Sequence, residues 1–361
     1  MHHLQCFHED PEPGTRPLKE WPCSPDKVKA LLTTWYNSGK PFFTKQDLEN
    51  VSNQLNRRYN TRRSNSQKRL ISVKGLTGSM IYYEVVTGQL HTEAASNEDW
   101  EIKEPRISYS SYEQLISSVE SGYSKLEEAF FPVQIEHFML VRASDTKLPI
   151  SMPYIENPEP VDEFLKNALK VWKESPEWQM LKSLLKHVAV NEITKIIGIA
   201  SGSMEFCADD EDCSRRSAVQ HSLMLALKES VEELKNTDIQ CYAQEPRYTA
   251  VDTWVLAEHG CEVMEDPKAL LEIDNDCILF SCCPALPLKE ITADFARPAM
   301  LIWDRVVDEG NLGLHNPNSP RVVNMIKEGY DSFFFWDMHD TVSAPFKSEL
   351  VVYIRRSSVM C

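Results

Sequence analysis

Lys195-Ile196-Ile197-Gly198-Ile199-Ala200-Ser201-Gly202-Ser203 (KIIGIASGS) is the stretch whose reading decides the fold. Lys195 to Ala200 is a short apolar run closed by a turn of small residues, the pattern of a strand buried on both faces. Downstream, Ser217 to Leu234 predicts a helix with Val219, Leu223, Leu227, Val231 and Leu234 on one stripe. Asp238 to Ala243 predicts a strand. Thr249 to His259 predicts a helix ending at Gly260, followed by a strand at Cys261 to Met264. Pro267 to Ile273 is a short helix, Asp276 to Ser281 (DCILFS) a strand, and Pro298 to Trp303 (PAMLIW) a fifth strand. Strands alternating with helices at this spacing imply βαβ units. The expected fold class is therefore α/β, a Rossmann-like, mostly parallel sheet with helices on both faces. A helix at Ser319 to Lys327 and strands at Ser332 to Trp336 and Glu349 to Ile354 extend that sheet.

Working back toward the N-terminus, two amphipathic helices precede the alternation. Asp162 to Glu174 aligns Phe164, Leu165, Ala168, Leu169 and Trp172; Pro176 to Val188 aligns Trp178, Leu181, Leu184, Leu185 and Val188. Residues 149–160 hold four prolines and read as a linker. Residues 26–148 read as a smaller α+β extension. It has helices at Asp26 to Asn37, with Ser24 and Pro25 as start signals, and at Thr44 to Leu55, with Thr44 as N-cap. Strands are expected at Met80 to Val86, Arg106 to Tyr109 and Val133 to Val141. Residues 1–25, polar and proline-rich, read as an arm, and residues 161–361 as the main domain. Arg57, Arg58, Arg62, Arg63, Lys68 and Arg69 form a basic cluster, read either as a solvated loop or as a targeting or phosphate-contacting patch.

The 361 residues carry 38 Lys and Arg against 54 Asp and Glu, a formal charge of −16 and a pI near 5.1. Apolar residues at 42% and charged residues at 25% describe a globular chain rather than a disordered or collagenous one. The acidity disfavours nucleic acid as a partner, because phosphate neutralisation needs a dense basic face. No apolar run reaches the roughly 20 residues of a membrane span, and the first residues lack a secretory h-region. The expected location is cytoplasmic and/or nuclear, and the ten cysteines are expected to be reduced. Cys207 and Cys213, six apart, do not make a zinc pair. Asp337 and Asp340 in Trp336-Asp337-Met338-His339-Asp340 resemble a metal cluster on paper and read better as a polar hairpin turn.

The candidate site follows from the strand ends. Ser201, Gly202 and Ser203 form the turn after the first strand of the alternation, where doubly wound folds bring backbone close to a ligand. It is not a full GxGxxG, since Ala200 stands at the first glycine, and a turn without a ligand is an equal reading. Glu245 follows the second strand, where an acid bonds ribose hydroxyls; the same geometry serves adenosyl cofactors. Asp266, after the third strand, faces either an adenine or water. Cys283 and Pro284 follow the fourth strand, across the expected switch point from Gly202. The candidate cofactor is adenosine-containing, S-adenosylmethionine or a dinucleotide. A Cys-Pro pair such as Cys283-Pro284 can also contact haem through its thiolate. A nucleophilic cysteine requires a nearby base, and His221, His259 and His315 are not placed by sequence. No HExxH, GxSxG or GxxxxGKS string occurs.

KIIGIASGS, the helix segment Ala218-Val219-Gln220-His221-Ser222-Leu223, the string Tyr242-Ala243-Gln244-Glu245-Pro246 with Asp252, Leu256 to Glu262 (LAEHGCE) and Ser281 to Leu288 (SCCPALPL) share an order. Together they resemble the sensitivity-to-red-light-reduced domain over about residues 190 to 305. Ile71 to Thr77 and Pro105 to Tyr112 resemble the N-terminal extension of fungal members. Cys282 stands where the family has His before Cys-Pro, and the family's glycine loop is reduced to Ala200-Ser201-Gly202. The resemblance implies a regulatory or signalling protein, of light, circadian or stress type, acting through other proteins, with no established reaction. The alternative is an adenosylmethionine-dependent methyltransferase or another nucleotide-using enzyme. The turn, the acid after the second strand and the late strand pair favour it.

Overall fold

The computed structural model describes residues 24–56, 69–85, 90–92, 98–122, 126, 128–143, 157–205, 211–308, 315–336, 346 and 348–356. Contacts divide the chain into two compact units, 1–151 and 152–361. Of the basic cluster Arg57 to Arg69, residues 57–68 lie outside the described residues and Arg69 opens the strand Arg69–Lys74; Cys207 and the stretch Asp337 to Asp340 also lie outside them.

In the first unit, α1 (Pro25–Asn37) and α2 (Lys45–Asn56) form where the apolar spacing predicts. The Asp47 amide donates to Thr44 Oγ1 at 3.1 Å, so Thr44 caps α2. Ser24 occupies the N-cap of α1 without a side-chain cap bond, and Pro25 opens the helix. β1 (Arg69–Lys74) and β2 (Met80–Val85) make an antiparallel hairpin; β3 (Leu90–Thr92), β4 (Glu98–Tyr109) and β5 (Val133–Ala143) make an antiparallel sheet. The Gln54 amide pairs with the edge of β1, taking the Ser72 N–H and donating to its carbonyl, both at 2.9 Å. An unforeseen helix, α3 (Tyr112–Ser121), starts at a reciprocal capping box between Ser111 and Gln114.

The second unit opens with α4 (Glu159–Glu174) and α5 (Pro176–Leu184), continued by a 3₁₀ turn at Leu185–His187. Then come β6 (Lys195–Ile199), α6 (Glu211–Lys235), β7 (Gln240–Gln244), α7 (Ala250–Glu258), β8 (Glu262–Val263), α8 (Lys268–Leu271), β9 (Cys277–Ser281), α9 (Leu288–Phe295) and β10 (Met300–Asp304). The chain closes with α10 (Pro320–Gly329), β11 (Tyr330–Trp336) and β12 (Leu350–Arg355). α6 begins six residues earlier than the apolar stripe suggests; Ser214 Oγ donates to the Glu205 carbonyl at 3.1 Å and ties its first turns to the preceding loop. α9, also unforeseen, is short and follows Pro287, so its period is too brief to register in the sequence.

The sheet runs β11-β12-β10-β9-β6-β7-β8. β6 to β10 pair in parallel, and β12 enters antiparallel between β10 and β11. Connections from β6 step outward in one direction to β7 and β8, and in the other to β9 and β10. Right-handed crossovers therefore place α6 and α7 on one face and α9 on the other. Burial follows the same division with period two. Ile196, Ile278, Phe280, Ile302 and Val352 join the core built by α4 to α7. Ile197, Leu279, Leu301, Trp303 and Val351, pointing the opposite way, are equally buried. At roughly 1.5–3 kcal/mol per fully buried apolar side chain, this doubly covered sheet is the principal stabiliser of the unit. Among the described residues, no helix is long and apolar enough to cross a membrane.

Candidate functional site

The order reverses at β6, so the carboxyl ends of β6 and β9 flank the switch point, with Ile199 in register with Ser281. The chain leaves β6 through a turn with two left-handed residues, Ala200 at φ 60° and Gly202 at φ 73°. Only glycine adopts that conformation without penalty, so Ala200 stands in a glycine position at some cost. A Cβ on Gly202 would lie 2.5 Å from Ser217 Oγ on α6. The glycine thus admits close approach of the next helix.

Two carboxylates, Glu245 on the β7–α7 connection and Asp252 in the first turn of α7, fasten this turn. Glu245 accepts from the Gly202 amide at 3.2 Å and from the Arg247 amide at 3.0 Å. Asp252, fully buried, accepts from Ser203 Oγ at 2.6 Å and from the Met204 amide at 2.8 Å. The same aspartate forms a capping box with Thr249 at the start of α7. Amides that a phosphate would use are thereby held by carboxylates, and negative charge already stands at the turn. Ser201 Oγ and Ser281 Oγ, at the two flanking strand ends, are buried without a hydrogen-bond partner.

His221 lies fully buried on α6, with Nδ1 2.6 Å from the Ser217 carbonyl and Nε2 2.6 Å from the Tyr248 hydroxyl. A carbonyl only accepts, so Nδ1 carries the proton and Nε2 accepts from Tyr248. Burial pushes the His221 pKa down and the Tyr248 pKa up, which keeps both neutral. With both ring nitrogens occupied, His221 is a strut rather than a general base. Asp266 accepts from the Gln244 side chain at 2.8 Å, while Gln244 Oε1 takes the Ala269 amide at 3.0 Å. That pair locks the end of β7 to the loop before α8. His259 pairs with Asp162 at 2.8 Å, tying α7 to α4.

The fourth strand end builds a second cluster. Cys283 is exposed, Pro284 buried, and Cys283 has φ 51°. Its amide lies 3.4 Å and its sulfur 3.7 Å from Asp304 Oδ1 at the end of β10. Ser348 also donates to Asp304 Oδ1, and Cys282 Sγ lies 4.0 Å from Ser348 Oγ. A hydrogen bond from Cys282 holds the Cys283 thiol below its ordinary value. Lys289, on α9, is buried beside this cluster and donates to Asn318 Oδ1 at 2.8 Å; burial brings its ammonium down to about 8.

The predicted residues therefore fall into two groups. Gly202, Ser203 and Glu245 meet at the turn, with Ser201 beside them, whereas Cys283 turns toward Asp304 and Ser348. Asp266 braces the third strand. Asp252 joins the first group and Asp304, Lys289 and Ser348 the second, residues that the strand-end logic passed over. Thr249-x-x-Asp252 carried a capping signal in the sequence; the other three meet only through folding.

An open, mostly parallel sheet with its strand order reversing at a small-residue turn defines a doubly wound α/β protein. Residues 180–346 match the model of the SRR1 domain. Those residues thus carry the SRR1 domain, as the motifs from KIIGIASGS to SCCPALPL implied. No curated protein sequence matches the chain. Among solved structures it is similar to a candidate O-methyltransferase from Klebsiella pneumoniae, with 11% identity over 56% of this chain and 93% of that one, at a TM-score of 0.32. The cofactor-bound protein Rv0187 from MTB gives 12% identity over 55% and 90%, TM-score 0.32. An O-methyltransferase from Bacillus cereus in complex with SAH gives 13% identity over 54% and 91%, TM-score 0.29.

Proposed function

We propose that this chain is a regulatory protein of the SRR1 family, of the light, circadian or stress-signalling type, acting through protein contacts in the cytoplasm or nucleus. Its switch-point crevice takes an adenosine-type ligand. The observation that carries the ligand reading is the Glu245 carboxylate at the end of β7, 3.2 Å from the Gly202 amide, in the position where doubly wound folds hold a ribose. The orphan hydroxyls of Ser201 and Ser281 support it, as polar groups a ligand would satisfy. The carboxylates of Glu245 and Asp252 select among adenosine compounds: a pyrophosphate meets like charge, whereas a nucleoside or the cationic S-adenosylmethionine does not. The crevice therefore prefers adenosine or S-adenosylmethionine to a dinucleotide.

Calorimetric titration of the full chain with adenosine, S-adenosylmethionine and NAD tests this. Glu245→Ala removes a charge-assisted bond of about 1.5–3 kcal/mol and is expected to weaken binding about 10- to 150-fold. If Glu245→Ala binds like wild type, the ribose is not held there. If NAD binds tightest, the charge argument fails.

A second reading is an adenosylmethionine-dependent methyltransferase. The specific observation favouring it is β12, inserted antiparallel between β10 and β11, the sheet end anticipated for that class. Formation of adenosylhomocysteine by the purified chain with cell extract as acceptor, abolished by Glu245→Ala, would establish it.

A further inference from the structure

We propose that Cys282, Cys283 and Asp304 form a binding site for a zinc-type divalent cation, with the fourth coordination position left to solvent. The two sulfurs and an Asp304 carboxylate oxygen all lie within 4.8 Å of one another. Tetrahedral zinc with Zn–S near 2.3 Å places its sulfurs about 3.8 Å apart, inside the 4.8 Å that bounds this cluster. Two thiolates and one carboxylate suit a borderline-soft d¹⁰ ion and not Mg²⁺ or Ca²⁺. Three protein ligands with one open position is the arrangement of reactive rather than closed structural zinc.

The surroundings are built as well. The exposed Cys283 leaves the cluster open to solvent on one side. Ser348 donates to Asp304, the kind of outer contact that orients a ligating carboxylate. Two thiolates, a carboxylate and a dication sum to one negative charge. The Lys289 ammonium, 2% exposed and held by Asn318, feels the charges of Asp304 and Cys283 and offsets part of it. The left-handed backbone at Cys283 is a strained conformation for a non-glycine residue, and it turns the chain so that adjacent cysteines share a partner. Binding displaces the thiol protons to solvent.

The full chain, reduced with a phosphine and stripped with a chelator, is titrated with Co²⁺ and then with Zn²⁺. The expected result is one Co²⁺ per chain with a thiolate-to-cobalt charge-transfer band that Zn²⁺ abolishes. Cys283→Ser, at an exposed position, should retain the far-ultraviolet circular dichroism of wild type and lose more than about 100-fold in affinity, since even outer contacts cost about 10- to 100-fold. Asp304→Asn should weaken binding at least about 10-fold. Absence of the band in wild type, a band unchanged by Cys283→Ser, or Asp304→Asn binding like wild type each overturns the site. A Cys282–Cys283 disulfide forming in air without any metal band overturns it in favour of a redox pair. Glu245 is not among these ligands, so failure here leaves the adenosine reading untouched.

Discussion

Exchanging glycine and alanine at two positions of the β6 turn should produce effects of opposite sign. Gly202 has φ 73°, and an added Cβ meets Ser217 Oγ at 2.5 Å. Gly202→Ala therefore incurs about 1–2 kcal/mol for a left-handed alanine and about 0.5–1.5 kcal/mol for the displaced Ser217 rotamer. The stiffer unfolded chain returns about 0.4–1 kcal/mol, so the net loss is roughly 0.5–3 kcal/mol. Ala200, at φ 60°, carries the same backbone strain in wild type. Ala200→Gly releases about 1–2 kcal/mol against about 0.4–1 kcal/mol of unfolded-state entropy, a net gain of roughly 0–1.6 kcal/mol. Adding Ser217→Ala to Gly202→Ala should recover only the steric part, roughly 0.5–1.5 kcal/mol, and leave the backbone strain. Urea unfolding of the full chain by circular dichroism, with midpoints compared at unchanged slope, reads all three variants against wild type. Gly202→Ala as stable as wild type, or Ala200→Gly less stable by more than about 0.5 kcal/mol, refutes the strained turn.

His221 is held neutral by burial, its pKa below the ordinary 6.5, so the unfolded chain binds the extra proton first as pH falls. Stability is fully present above pH 6.5 and declines below it, by up to about 1.4 kcal/mol per pH unit, until the folded pKa is reached; a pH series of unfolding midpoints should show a slope that His221→Gln flattens. Tyr248→Phe leaves Nε2 of that buried ring without its donor and should cost about 1–3 kcal/mol by the same unfolding measurement. Arg321→Met removes the guanidinium 2.6 Å from the Asp294 carboxylate, itself 4% exposed, and should cost about 3–5 kcal/mol, with part restored by adding Asp294→Asn.

The sequence by itself determined the layered α/β architecture and the order of its strands and helices. Hydrophobic period is local: KIIGIA, DCILFS and PAMLIW each announce burial on both faces, and the intervening stripes announce helices. Glycine and small residues located the turn at residues 200–203, and the acid after β7 placed Glu245, because backbone conformation and strand-end position are local properties too. α3 was legible in principle, from the Ser111–Gln114 capping box. α9 was not, since eight residues after a proline give too little period to separate from a loop.

Only the tertiary structure decided which side chains meet. Asp252 reaches Ser203 across 49 positions, Asp304 approaches Cys283 across 21, and Ser348 approaches Asp304 across 44. Such contacts depend on strand register and crossover handedness, which no short window of sequence contains. The same holds for Gly202, whose sequence context suggests room for a ligand while packing assigns that space to Ser217. A carboxylate's role is likewise set by what faces it: Glu245 holds the β6 turn, Asp266 braces a strand end, and Asp304 faces two thiols.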